Sequence, residues 1–103
     1  MSLYLLTPQA EEDLFDIWSY IAQDNPDAAN RVETEIYAAC AFLASTPQVG
    51  HVRSDLTDRK VRFWTLPHFS HYVIVYDLAS DPLHIIRILH GSRDIPRRLT
   101  TSR

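Results

Sequence analysis

The spacing of apolar residues changes once along this chain, at Pro47. Before that point, apolar residues recur every three or four positions, as they do on one face of an α-helix. After a polar stretch at 48–59, they fall into three short segments rich in β-branched and aromatic residues, which is typical of strands. The pattern therefore predicts an α+β chain in which helices precede most of the sheet.

Two helices are predicted between residues 7 and 46. Thr7-Pro8 and Asn25-Pro26 each join a helix-capping side chain to a proline, which the first turn of a helix tolerates. On a helical projection of the first segment, four apolar residues lie within about 60° of one another: Ala10, Leu14, Ile17 and Ile21. The second helix should end at Ser45-Thr46-Pro47. Because the connection between them is short, we expect an antiparallel helical hairpin.

Four short strands complete the predicted order. They are Leu3 to Leu6, Val61 to Leu66, His71 to Tyr76 and Leu83 to His90. The turns between the last three strands are too short for parallel crossovers, so these strands should form an antiparallel meander. The chain is thus predicted to fold as β-α-α-β-β-β, a two-helix hairpin packed on a small antiparallel sheet. A length of 103 residues predicts a single domain over 1–103, with a basic tail over 93–103.

The last predicted strand is apolar on both faces. Simple alternation places Ile86 and Ile88 on one side of the sheet, and Ile85 and Leu89 on the other. A strand with two apolar faces is expected in the centre of a sheet that is covered on both sides.

The composition excludes several classes of function. Two glycines are too few for a phosphate-binding P-loop or a dinucleotide-binding loop. Cys40 is the only cysteine and lies on the apolar stripe of the second helix, so no internal disulfide forms and we interpret it as a core residue. The five histidines show no recognised zinc spacing, so we expect no metal and no cofactor. Neither an export signal nor a membrane segment is recognisable, and we expect a cytoplasmic protein.

Charge divides the chain more sharply than its net value of −3 suggests. Residues 1–50 hold eight acids and one base, a balance of −7, whereas residues 51–103 hold nine bases and five acids, a balance of +4. Nine of the ten basic residues are Arg, which suits bidentate recognition of carboxylate or phosphate. Arginine-rich codon usage in the source genome would give the same bias.

Two sets of residues stand out as candidates for binding. Phe15, Trp18 and Ala22 widen the apolar stripe of the first helix beyond the usual arc of about 100°, either for burial against the sheet or as a groove for a partner segment. Arg87 interrupts the apolar last strand, so its charge must reach solvent, a partner phosphate or a carboxylate. An ion pair with Asp94 or with an acid of the helices is one alternative.

Several motifs resemble the ParE branch of the ParE/RelE toxin superfamily. The resemblance covers nearly the whole chain in the same order. The motifs are A-x3-L-x2-I-x2-Y-I-A from Ala10, D-N-P-D-A-A from Asp24, L-A-x2-P from Leu43, V-I-V-Y from Val73 and R-I-L-H-G-x-R-D from Arg87. This resemblance implies the toxin of a type II toxin–antitoxin system, of the kind linked to plasmid stabilisation. It further implies neutralisation by a ParD-like antitoxin, whose C-terminal segment folds onto the toxin, and inhibition of DNA gyrase without catalysis.

The resemblance also implies roles for the candidate residues. Phe15, Trp18 and Ala22 would bind the antitoxin. The residues that would engage the gyrase–DNA complex are Arg87, His90, Arg93, Arg97 and Arg98, for which a solvated tail is the alternative. No direct sequence-specific binding of nucleic acid is expected.

Two other functions remain open at this point. A ribosome-dependent mRNA endonuclease of the RelE type would use Arg62, Arg87 and His90 for proton transfer and charge stabilisation. The net charge of −3, the single lysine at Lys60 and the lack of any tyrosine after Tyr76 favour the gyrase inhibitor over this enzyme. A degenerate member that binds its antitoxin without being toxic is the third alternative.

Overall fold

Two proline-initiated helices and four strands form the structure, a computed structural model that describes residues 3–53 and 60–91. The elements are β1 (Tyr4–Leu6), α1 (Pro8–Ala22), α2 (Pro26–Ser45), a short 3-10 turn (Pro47–Val49), β2 (Arg62–Thr65), β3 (Tyr72–Asp77) and β4 (Leu83–His90). The predicted order is confirmed, and both helices begin at the predicted prolines.

The helix caps also fix the position of the hairpin. The Thr7 hydroxyl accepts a hydrogen bond from the Ala10 amide (3.2 Å) and donates one to the Ile86 carbonyl (2.9 Å). One residue therefore caps α1 and ties its start to β4. At the start of α2, the Asn25 side chain accepts from the Ala28 amide (3.0 Å). Each cap satisfies an amide that the helix itself leaves unpaired.

The sheet has the order β1-β4-β3-β2. Strands β2, β3 and β4 form the predicted antiparallel meander, and β4 is central as predicted. Strand β1 lies parallel to β4, with Tyr4 opposite Leu83, so the four-stranded sheet is mixed. The chain between β1 and β4 contains both helices and strands β2 and β3, which is long enough for the crossover that parallel pairing requires.

The alternation expected for β4 was wrong, because the strand contains a bulge. The pairing between β3 and β4 skips Ile86, which adds one residue to β4 at that point. As a result, Ile85 and Ile88 both pack on the side of the helices, whereas Ile86 and Leu89 both lie on the opposite side. The expectation had paired Ile86 with Ile88 and Ile85 with Leu89.

A buried tyrosine and an arginine hold the segment after α2 against the sheet. The Tyr76 hydroxyl donates to the Pro47 carbonyl (2.6 Å) and accepts from the Gly50 amide (2.9 Å). The Arg62 guanidinium donates to the carbonyls of Gln48 (3.1 Å) and Gly50 (2.9 Å). The first part of the predicted loop at 48–59 is therefore fastened to β2 and β3, and residues 54–59 lie outside the described residues.

We expect Gly50→Ala to lower the free energy of unfolding by about 1–3 kcal/mol, as overpacking of a buried site does. A Cβ atom at Gly50 would lie 2.3 Å from the Tyr76 hydroxyl oxygen, and Tyr76 is fully buried. Urea denaturation measures the change. Gly91→Ala is the control, since its nearest contact would be a looser 3.3 Å to a Val73 methyl group. Equal stability of the two variants would contradict the prediction.

Candidate functional site

A groove opens where α1, α2 and β1 meet. The described residues that line it are Leu6, Glu11, Leu14, Phe15, Trp18, Glu33 and Tyr37. Its volume of about 250 Å³ is below the range of roughly 300–1,000 Å³ that is usual for small-molecule pockets. The size and the helical walls suit a few side chains of a polypeptide better than a free metabolite.

Two aromatic side chains of the groove remain open to solvent. Phe15 is 66% exposed and Tyr37 is 41% exposed. Burial against the sheet, one of the two explanations for the wide apolar stripe of α1, therefore does not account for Phe15. Exposed aromatic surface of this kind commonly marks a site of protein interaction.

Trp18 links the two helices at one end of the groove. Its indole Nε1 donates a hydrogen bond to the Asn30 side-chain oxygen (2.9 Å), while its ring is half-buried. The bond fixes the ring as part of the groove wall. Ala22 is also half-buried, but it lies one turn further along α1, beyond the described lining. The structure thus brings Phe15 and Trp18 together and leaves Ala22 at the margin.

Two carboxylates, Glu11 and Glu33, belong to the groove lining. Their effect is visible at Tyr37, where burial raises the pKa of the phenol and the negative charges of Glu33 and Glu11 raise it further, together with a contribution from Cys40. The groove therefore combines aromatic surface with negative potential.

A bidentate ion pair joins α1 to β4. Arg87 donates from Nε to Asp13 Oδ2 (2.7 Å) and from Nη2 to Asp13 Oδ1 (2.9 Å). The Ile88 amide donates a third hydrogen bond to Asp13 Oδ2 (3.0 Å). The side chains are only 14% and 6% exposed for Arg87 and Asp13. The alternative of an ion pair with a helical acid is confirmed, whereas Asp94 lies outside the described residues.

Asp13 is not among the predicted site residues, although the sequence contains a signal for it. Asp13 lies three residues after Ala10 and directly before Leu14, both of which are buried, so the helical period places it on the face toward the sheet. Burying an unpaired charge costs free energy, both for a carboxylate on an apolar stripe and for an arginine in an apolar strand. The presence of both in one chain therefore predicts that they pair.

The three residues of the endonuclease alternative are not gathered at one point. The Arg62 guanidinium binds the carbonyls of Gln48 and Gly50, and that of Arg87 binds Asp13. Arg62 lies opposite Tyr76 on β3, whereas His90 lies opposite Tyr72, and four residues along a strand span about 13 Å.

His90 lies at the end of β4 among other rings. Its imidazole stacks on His71, with ring centroids 5.5 Å apart, and meets the edge of Tyr72 at 5.9 Å. The remaining residues of the predicted basic surface, Arg93, Arg97 and Arg98, lie outside the described residues.

Three further properties of the described ranges bear on function. Within 3–53 and 60–91, no three His, Cys, Asp or Glu side chains are grouped so as to hold a metal ion. In the same ranges, no helix is both long and apolar enough to cross a membrane. Cys40 is fully buried, and its burial raises the pKa of the thiol to about 12, so it is a core residue and a poor nucleophile.

Comparison with known proteins gives consistent matches over most of the chain. The family model described as the ParE toxin of the type II toxin–antitoxin system, parDE, matches residues 4–95. Y4kP of Sinorhizobium fredii, a candidate toxin, is 31% identical over 93 residues, which cover 90% of this chain and 92% of the relative. Toxin RelE2 of Caulobacter vibrioides is 33% identical over 93 residues, covering 90% and 99% of the two chains.

A solved structure shares the fold. It is described as a chromosomal ParDE TA system from P. aeruginosa, and it matches with a TM-score of 0.70 and 22% identity. The match covers 84% of this chain and 92% of the other.

We expect Asp13→Ala to lower the free energy of unfolding by about 3–5 kcal/mol, because it removes the carboxylate that accepts two hydrogen bonds from the mostly buried Arg87. The double variant Asp13→Ala/Arg87→Met should lose less than the sum of the two single variants by about 1 kcal/mol or more. Asp16→Ala, an exposed acid of the same helix, should change stability by less than about 0.5 kcal/mol. Urea denaturation of the parent chain and the four variants, including the single Arg87→Met, is the measurement, and additive losses would contradict the coupling.

Proposed function

The chain belongs to the ParE toxin family of type II toxin–antitoxin systems, and on that basis we propose that a ParD-like antitoxin neutralises it and that its target is DNA gyrase. The observation that carries the first part is the groove between α1 and α2, with Phe15 exposed in it. The fold neighbour from a ParDE system is consistent with a partner of this kind.

The antitoxin is proposed to cover Phe15, Trp18 and the adjoining Ala22. A segment that folds onto this surface removes exposed aromatic area from water, and such burial supplies the free energy for ordering the segment. Trp18 is held in place by Asn30 before any partner arrives, so little is lost in ordering this side chain on binding.

The gyrase–DNA complex is proposed to meet the basic end of the chain. The residues proposed to make this contact are His90, Arg93, Arg97 and Arg98, which lie close together in the sequence, and Arg87 is proposed to support them from its ion pair with Asp13. The acidic half of the chain, with its balance of −7, would be repelled by nucleic acid, so the basic half is the side suited to a DNA-bound target.

A non-enzymatic mode is supported by the arrangement of the alternative catalytic residues. Arg62 and Arg87 each bind groups of their own chain, and Arg62 lies at the other end of the sheet from His90. The similarity to toxin RelE2 keeps an mRNA endonuclease as the second candidate, and the target assay below separates the two.

We expect Phe15→Glu to weaken antitoxin binding by about 2 kcal/mol or more, as the loss of a central aromatic anchor does. The antitoxin is sought as the product of a small adjacent reading frame that encodes a ribbon-helix-helix protein, and calorimetry gives the affinity. Tyr20→Glu is the matched control, because Tyr20 is an equally exposed aromatic residue of α1 (69%) outside the described groove lining. Equal affinities for both variants would place the antitoxin elsewhere.

Purified toxin should inhibit DNA supercoiling by gyrase and stabilise cleaved DNA, while mRNA in a translation extract stays intact. Replacing Arg97 and Arg98 by Ala should raise the inhibitory concentration about tenfold or more, because charge-assisted hydrogen bonds contribute about 1.5–3 kcal/mol each. Arg31→Ala, which removes the single base of residues 1–50, should have little effect.

The opposite pattern would identify an endonuclease. Codon-specific cuts in ribosome-bound mRNA, abolished by His90→Ala and accompanied by normal gyrase activity, would contradict the proposed target. Inactivity in both assays would favour a member that binds its antitoxin without being toxic, or a target other than gyrase and mRNA.

A further inference from the structure

Each helix of the hairpin presents one acid beside one aromatic residue to the groove. Glu11 and Phe15 are four residues apart on α1, and Glu33 and Tyr37 are four apart on α2, so the members of each pair are neighbours on one helix face. A connection of only three residues makes the two helices antiparallel, and the Trp18–Asn30 hydrogen bond marks one point at which they lie side by side.

This alignment sets the acids diagonally across the groove. Counting back along α1 and forward along α2 from the Trp18–Asn30 bond, Phe15 faces Glu33 and Glu11 faces Tyr37. The raised pKa of Tyr37, to which both carboxylates contribute, agrees with this placement. Four residues of helix span about 6 Å, so the two carboxylates lie at successive positions along the groove, one on each wall.

Among the described residues, no cation pairs with these two carboxylates. Within residues 3–53 and 60–91, neither Glu11 nor Glu33 has a hydrogen-bond or ion-pair partner, and no described lining residue is basic. The neighbouring acids differ, since Asp13 binds Arg87 and Glu35 lies 3.4 Å from His68. The charges of the groove are therefore available to an incoming chain.

From this geometry we infer that the groove is built for a basic segment. A large apolar side chain of the antitoxin enters between α1 and α2, and Lys or Arg residues on both sides of it pair with Glu11 and Glu33. The inference rests on the proposed function in taking an antitoxin as the occupant, and it adds the chemistry by which that occupant is recognised.

A second copy of this chain is a poorer occupant. Two grooves placed face to face would bring four carboxylates together, and opposed like charges disfavour such a pairing. A neutral apolar segment would fill the groove but leave both carboxylates partly desolvated without partners, which lowers its affinity relative to a basic one.

The test is the selection of peptides from a random 12-residue display library on the full chain, with counter-selection on the Phe15→Glu variant. Peptides that depend on Phe15 should be enriched in Lys and Arg on both sides of a large apolar residue. Selection on Glu11→Gln/Glu33→Gln should remove this enrichment. Selection on Glu12→Gln/Asp16→Asn should retain it, because this control loses the same two charges from exposed positions of α1 outside the described lining.

Calorimetry with one selected peptide makes the test quantitative. Exposed ion pairs contribute about 1.5- to 5-fold each in affinity, so the Glu11→Gln/Glu33→Gln variant should bind about 2- to 25-fold more weakly. Its affinity should also depend less on salt concentration than that of the parent chain. The control variant should bind within about twofold of the parent chain.

Two results would overturn the inference. The first is a set of Phe15-dependent peptides without basic enrichment, and the second is a library that yields no Phe15-dependent peptide. If the Phe15-dependent peptides lack basic enrichment while the adjacent-gene antitoxin still requires Phe15 for binding, the proposed function stands and the inference that the groove binds a basic segment is wrong. If basic peptides are selected but the adjacent-gene product fails to bind, the inference about the groove stands and the proposed partner does not.

Discussion

The ion pair between Asp13 and Arg87 is the contact on which the arrangement of helices and sheet depends. It joins the first helix to the central strand, and Asp13 accepts a further hydrogen bond from the Ile88 amide beside the bulge. A buried carboxylate is tolerated only when its charge and lone pairs are satisfied, and three donors among the described residues bind this one. Because of the bulge at Ile86, Arg87 departs from the regular alternation of β4. Asp13, the carboxylate partner of Arg87, also accepts a hydrogen bond from the amide of the next residue, Ile88.

The same contact joins the acidic half of the chain, which contains Asp13, to the basic half, which contains Arg87. The groove lies between α1 and α2 and carries Glu11, Glu33 and exposed aromatic surface, whereas the basic residues follow Arg87 toward the end of the chain. Asp13 and Glu11 are only two residues apart, yet they lie on different sides of α1. Asp13 is paired within the fold, whereas the Glu11 carboxylate has no partner among the described residues and remains available to another chain.

Local signals account for most of what the sequence predicted. Thr7-Pro8 and Asn25-Pro26 marked both helix starts, because capping and the φ angle of proline are properties of a few adjacent residues. The apolar stretch at 83–90 identified the central strand for the same reason. The groove was predictable in part, since an excess of apolar surface on α1 can be read from Phe15 and Trp18 alone.

The features that the sequence did not specify all depend on long-range partners. The bulge at Ile86 arises from pairing with β3, and strict alternation along β4 gives no sign of it. The partner of Arg87 is 74 residues away in the sequence. Periodicity within each element reduces the number of possible partners but does not identify Asp13. The restraint of Arg62 by the carbonyls of Gln48 and Gly50 is likewise a property of the folded loop, which residue type alone does not reveal.

The parallel pairing of β1 with β4 has a consequence for the order in which the molecule assembles. Thr7 is hydrogen-bonded to Ile86, which lies 79 residues later in the sequence. The strand that covers the apolar stripes of both helices, β4, is the last described element to be synthesised. On the ribosome, the hairpin emerges with its stripes uncovered and can complete its core only when β4 has followed it. Contacts this distant in sequence slow folding and prolong the exposure of apolar surface. A nascent chain that stops before β4 therefore lacks the centre of its sheet, however well its helices form.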